Sequence, residues 1–179
     1  LMLGLFRPQS GCVLIEGRDL AEIGLNHYRH VVGAVMQDDQ LFAGSIADNI
    51  AFGSEDLVLP RIEAAARSAS VHDDIARMPM GYRTLIGDMG AALSGGQKQR
   101  IILARALYKQ PSILFLDEAT SHLDVDSERA VNEAVRRLPL TKILIAHRPE
   151  TIVSAERVLV MANGRIEREY RPGEPALRL

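Results

Sequence analysis

Two adjacent carboxylates, Asp117 and Glu118, end the apolar run Ile113-Leu114-Phe115-Leu116. Such a run is expected for a strand buried on both faces of a parallel sheet. Open α/β sheets keep their ligand crevice at the carboxyl ends of strands of this kind. In a nucleotide site the first carboxylate would hold Mg²⁺ and the second would act as a general base toward water. Taken alone, the pair reads equally well as a polar strand end that serves solubility. Ser94-Gly95-Gly96 stands directly before a helical pattern, so its hydroxyl and its unobstructed N–H groups would point along the positive end of a helix dipole. A terminal phosphate fits there; a flexible turn with an N-cap serine is the alternative.

These residues need a sheet and a helix to position them. Cys12 to Glu16 alternates into a short strand closed by Gly17, residues 25–30 have the pattern of a short polar helix, and Gly33 to Gln37 forms a second strand ending on a polar residue. From Ser45 to about Met78 the pattern is helical, with Ile62, Ala65, Ala66 and Ala69 on one buried face. Pro79 and Gly81 break it. A second helix starts after Leu93-Ser94-Gly95-Gly96-Gln97 and ends near Lys109, with Leu103, Ala106 and Leu107 inward. The strand 112–117 follows, then a helix from about Asp126 to Leu138, a strand 142–146 that delivers His147, and a helix 149–154. Strands 157–161 and 165–169 flank Asn163-Gly164, a strong hairpin signal.

Composition bounds the alternatives. The 179 residues suit one α/β domain, and 47% apolar with 25% charged content is ordinary for a globular chain. The formal charge of −2 gives no basic field for nucleic acid, although the basic residues are 18 Arg against 3 Lys. A single cysteine, Cys12, excludes an internal disulfide and reads as a small buried strand residue. His27 and His30 read as a solvated helix face rather than a metal site. No apolar run approaches the length of a membrane span. The apolar start, Leu1 to Phe6, lacks the basic flank of a signal peptide and reads as the tail of a helix that begins upstream.

In sequence order Gln37, residues 93–97, residues 113–118, Ser121-His122-Leu123-Asp124 and His147 match the Q-loop, signature, Walker B, D-loop and switch histidine of one family. The chain resembles the nucleotide-binding domain of ABC transporters. That resemblance implies an α/β P-loop NTPase (RecA-like) core with a mostly parallel sheet and a helical subdomain. The core would take residues 1–44 and 105–179, and the subdomain, with the signature motif, about 45–104. It also implies ATP and Mg²⁺ as ligands. Asp117 and Gln37 would contact the metal, Glu118 the attacking water and His147 the γ-phosphate. Ser94, Gly95, Gly96 and Gln97 would complete the site of a second cassette in a head-to-tail homodimer, with Asp124 at the seam.

Thr84-Leu85-Ile86-Gly87-Asp88-Met89-Gly90 occupies the place of the exporter X-loop but departs from its commoner pattern at Leu85, Asp88 and Met89. The phrases 35–50, 72–75, 78–82 and 121–124 are similar to colicin V-type bacteriocin exporters, in which the Gly-Asp-Met-Gly variant is expected. The implied setting is the cytoplasmic face of the bacterial inner membrane, held there by a transmembrane domain that exports a bacteriocin-like peptide. No G-x-x-x-x-G-K-[ST] occurs in the 179 residues. The expectation is therefore a cassette cut after its P-loop, lacking the N-terminal strands and inactive by itself. A non-transport ABC ATPase and an inactive truncated cassette are the alternatives.

Overall fold

The computed structural model describes residues 1–54, 56–87, 93–117, 125–146, 149–153 and 155–171. The chain falls into two compact units, Leu1–Leu144 and Ile145–Leu179.

The first unit opens with a hairpin of β1 (Leu14–Ile15) and β2 (Arg18–Asp19). Its turn residues Glu16 and Gly17 both take positive φ, 50° and 80°, as the tight hairpin turn requires. Asp19 then caps α1 (Leu20–Ile23) by accepting from the Ala21 N–H at 2.9 Å. α2 (Leu25–Val31) buries Tyr28, and the Tyr28 hydroxyl donates to the Met2 carbonyl at 2.8 Å. His27 and His30 lie exposed on α2, the solvated face expected of them.

β3 (Val32–Val35) leads to β4 (Gly44–Ser45), α3 (Ile46–Ile50), α4 (Leu59–Ser68) and α5 (His72–Ala76). A single 3₁₀ turn at Gly81–Arg83 precedes β5 (Leu85–Ile86), which pairs antiparallel with β4. α6 (Gly95–Tyr108), β6 (Ile113–Asp117), α7 (Val125–Arg137) and β7 (Thr141–Ile145) follow. The central sheet has the order β3-β6-β7, with β3 and β6 parallel. The α/β class and the parallel sheet expected from the sequence are present.

One apolar core joins these elements. Ile62, Ala65, Ala66 and Ala69 of the α4 stretch are buried as their spacing requires, against Ile46 and Ile50 of α3 and Ile101, Leu103, Ala104 and Leu107 of α6. Val35, Leu114 and Leu116 supply the sheet side, and Val131, Ala134 and Val135 the face of α7. Each large aliphatic side chain buried here stabilises the fold by roughly 1.5–3 kcal/mol relative to exposure. Gly33 lets α6 lie directly on β3. A Cβ at that position would stand 2.8 Å from the Ala106 carbonyl oxygen, a backbone atom that cannot swing away.

In the second unit α8 (Pro149–Val153) precedes the antiparallel pair β8 (Val158–Ala162) and β9 (Arg165–Tyr170). Asn163 and Gly164 turn the hairpin with φ of 49° and 74°, as the Asn-Gly pair predicts. Leu159, Val160, Met161 and Ile166 are exposed on it. Arg157 and Glu169 join its strands by two hydrogen bonds of 2.7 and 2.9 Å.

Three expectations need correction. Leu1 to Phe6 is not a helical tail but a series of turns and bends, because Gly4 at φ 69° leaves room for only one turn, closed by its own N–H on the Leu1 carbonyl at 2.8 Å. Cys12 is exposed rather than buried, since β1 begins only at Leu14. The second strand starts at Val32 and ends at Val35, so Gln37 stands in a turn beyond the strand.

Candidate functional site

β3 and β6 run side by side with Val35 opposite Leu116. Met36 and Asp117 therefore leave the sheet at one level, and Gln37 stands one residue further out. The turn that holds Gln37 is closed twice: the Met36 N–H donates to Asp39 Oδ2 at 2.9 Å and the Asp39 N–H donates to the Met36 carbonyl at 3.2 Å. Gln37 is exposed on it, and Asp117 is half-buried at the end of an otherwise buried strand. The backbone thus places two oxygen-bearing residues at the carboxyl edge of the sheet, the crevice side of an open α/β fold. Among the described residues no three acidic, His or Cys groups gather into a metal cluster. A cation at Asp117 would take its remaining ligands from water and phosphate, as Mg²⁺ commonly does. Glu118, Asp124 and His147 lie outside the described residues, as do Ser121, His122 and Leu123 of the D-loop phrase and Asp88, Met89 and Gly90 of the X-loop phrase.

Ser94 is the N-cap of α6. Its Oγ accepts from the Gln97 N–H at 3.2 Å while its own N–H donates to Gln97 Oε1 at 3.0 Å, a reciprocal capping box. The first turn of α6 contains no acidic residue, and among the described residues the N–H groups of Gly95 and Gly96 have no acceptor. Among the described residues the Ser94 hydroxyl proton has no acceptor either, the oxygen acting only as acceptor in the cap. Gln97, expected among the phosphate-binding residues, bonds here to Ser94. Among the described residues Ser94 to Gln97 share no hydrogen bond with Gln37 or Asp117.

The helix start is held from two sides. Gly96 is buried against α7, where an added Cβ would stand 2.6 Å from Ser127 Cβ, so only glycine permits this approach. Arg100 donates through Nε to the Gly96 carbonyl at 3.3 Å and pairs with Asp74 of α5 at 2.8 Å, both partners being largely buried.

Sequence reasoning missed a second node. Asn49, 1% exposed, uses all four of its hydrogen-bonding positions. Its amide donates to the Phe42 and Ser45 carbonyls at 2.9 and 3.0 Å, and its oxygen accepts from the Phe42 N–H at 2.8 Å and from Arg105 Nη2 at 2.9 Å. Arg105 also donates to the Asn49 and Gln40 carbonyls at 2.9 and 3.0 Å, and it lies over the Phe42 and Phe52 rings. Burial pulls this guanidinium below its ordinary pKa, opposed by the nearby Asp39 carboxylate. An asparagine between Ile46 and Ile50, and an arginine within Leu103-Ala104-Arg105-Ala106-Leu107, were the available signals, since each interrupts a buried apolar face.

The sequence profile described as ABC transporter matches residues 1–121. The chain is 51% identical over 159 residues to a colicin V secretion/processing ATP-binding protein of Escherichia coli, covering 89% of this chain and 23% of that protein. It is 45% identical over 176 residues to an ATP-dependent lipid A-core flippase of Chromohalobacter salexigens, covering 97% of this chain and 30% of the flippase. Among solved structures it is similar to a bacterial Atm1-family ABC exporter with ATP bound, with a TM-score of 0.83 and 39% identity over 94% of this chain and 30% of that one. The chain spans about a quarter of the length of the curated relatives it matches. With an α/β core, two polar groups at the carboxyl edge of its sheet and a serine-capped glycine helix start, the chain belongs to the ABC transporter family.

Proposed function

We propose that the chain is the ATP-hydrolysing cassette of an exporter that moves a bacteriocin-like peptide, and that it works within a longer polypeptide at the inner face of a bacterial membrane. The observation that carries the nucleotide reading is the start of α6. Uncommitted N–H groups, a free hydroxyl proton and no acid in the first turn favour a terminal phosphate. The peptide cargo rests on the phrases around Gln37, His72 and Met78 and on the likeness to the colicin V secretion protein.

Phosphoryl transfer depends on a positioned water and on distributed donors more than on covalent chemistry. Asp117 and Gln37, at the same edge of the sheet, have the donor chemistry to hold Mg²⁺. When bound, that ion would neutralise charge on the β- and γ-phosphate oxygens. Glu118, next in the chain, takes the proton of the attacking water, and His147 donates to the γ-phosphate. Ser94, Gly95 and Gly96 close on the phosphate of a second cassette in a head-to-tail dimer with Asp124 at its seam. Gln97 holds Ser94 in place. The phosphate cradle that G-x-x-x-x-G-K-[ST] provides is no part of these 179 residues. By themselves they are expected to hydrolyse ATP no faster than a Glu118→Gln control.

The test is Mg-ATP turnover by the purified full-length transporter in lipid. Glu118→Gln is expected to lower kcat by about a hundredfold or more, and a colicin V-type peptide to stimulate the unaltered protein. Unchanged turnover in Glu118→Gln overturns the hydrolysis reading. Stimulation by lipid A and not by peptide overturns the cargo.

A further inference from the structure

Arg105 lies on α6, eleven residues beyond the Ser94 cap and about 16 Å along the helix axis, yet its partners lie elsewhere. Its three described hydrogen bonds go to neutral acceptors: the Gln40 carbonyl, the Asn49 carbonyl and the Asn49 amide oxygen. Gln40 is three residues after Gln37, and the turn between them is already closed by Asp39. Little slack remains between the Gln37 side chain and the carbonyl that Arg105 grips. The guanidinium also stacks 4.8 Å from the Phe42 centroid and 5.6 Å from that of Phe52, whose rings stack on each other at 4.3 Å. Among the described residues no carboxylate is hydrogen-bonded to it, Asp39 acting only through its nearby charge, so this is not a charge pair that a lysine would reproduce. The planar fork reaches three acceptors in fixed directions, which a single ammonium cannot.

We propose that Arg105 is a positioning residue: it fastens the segment that carries Gln37 to the helix that Ser94 caps, so that the two respond to nucleotide as one body. The inference rests on the nucleotide reading above and adds to it a residue that touches no ligand. A rigid helix makes the connection physical, because displacement of Ser94 along or about the α6 axis displaces Arg105, and with it the Gln40 carbonyl.

The test is hydrogen exchange on the full-length transporter carrying Glu118→Gln, with and without Mg-ATP, combined with steady-state kinetics in the hydrolysing protein. In the otherwise unaltered chain, stretches 36–46 and 93–100 are both expected to exchange at least about tenfold more slowly with Mg-ATP. With Arg105→Lys the response at 93–100 should persist and that at 36–46 should disappear, while kcat falls and KM for ATP stays within about twofold. A merely structural role would instead change exchange across the whole core, with or without nucleotide. Phe52→Leu, at a position 53% exposed, is the second variant and should give the same selective loss at smaller size, even where Arg105→Lys does not fold. Intact Mg-ATP responses at both stretches in both variants overturn the proposal. No Mg-ATP response in the otherwise unaltered chain overturns the nucleotide reading beneath it.

Discussion

Two helices of this protein begin with the same device and end up with opposite chemistry. α3 and α6 each start at a serine whose Oγ accepts from the third residue's N–H, while that third residue's side chain reaches back to the serine N–H. In α3 the third residue is Asp48, so the positive end of the helix is met by a carboxylate of the same chain. In α6 it is Gln97, which closes the same ring of hydrogen bonds without a charge. The difference is one functional group. It leaves α6 with a positive end that an external anion can meet, whereas α3 has already met its own.

The largest expected break comes from Gly96→Ala. The added methyl has no room before Ser127, so α6 and α7 must separate; a loss of about 1–3 kcal/mol in stability is expected from such overpacking, together with loss of turnover. Urea unfolding and ATPase assays on the full-length protein check both. Gln97→Glu sharpens the comparison by giving α6 the charge that α3 carries. The capping box should survive and the unfolding midpoint hold or rise slightly, while turnover falls about tenfold, equal to about 1.4 kcal/mol of transition-state stabilisation. Wild-type turnover in Gln97→Glu would show that the neutral cap has no bearing on function.

The smallest effect concerns α3. Ser45→Ala should cost about 1 kcal/mol and leave turnover per folded molecule unchanged. The Ser45 hydroxyl, and next the Ser45 N–H, hold the Asp48 carboxyl below the ordinary carboxylate range. A depressed pKa stabilises the fold above the unfolded value, and that contribution is lost as the pH falls through the folded one. Ser45→Ala should therefore flatten the acid limb of stability against pH, which denaturant midpoints across the acidic range will read.

Much of this contrast was legible beforehand. Ser94 before two glycines and a helical run marked a cap facing outward, and the apolar strand before Asp117 marked a crevice edge. The buried face of α4 followed from its spacing. What escaped was short or non-periodic. β4 and β5 are two residues each, too brief to show alternation, and their pairing brings Gly44 and Ser45 beside Ile86 and Leu85, forty residues away in the chain. Asn49 and Arg105 interrupt apolar stripes, and apart from the bond between them their partners are main-chain groups, which no side-chain pattern advertises. Gln37 was expected at the end of a strand and stands beyond it, because Asp39 draws the Met36 N–H out of the ladder.

The hairpin of the second unit carries a consequence for handling the protein. Among the described residues this ribbon pairs with no third strand, and open strand edges recruit further strands from other molecules. Leu159, Val160, Met161 and Ile166 make this ribbon sticky, whereas Arg165, Glu167, Arg168 and Glu169 place alternating gatekeeper charges along β9. The hydrogen bonds from Arg157 hold the Glu169 carboxyl below its ordinary pKa, so that this charge persists further into the acid range. Salt screens these charges, so buffers of low salt are the conditions in which strand-to-strand aggregation should be slowest.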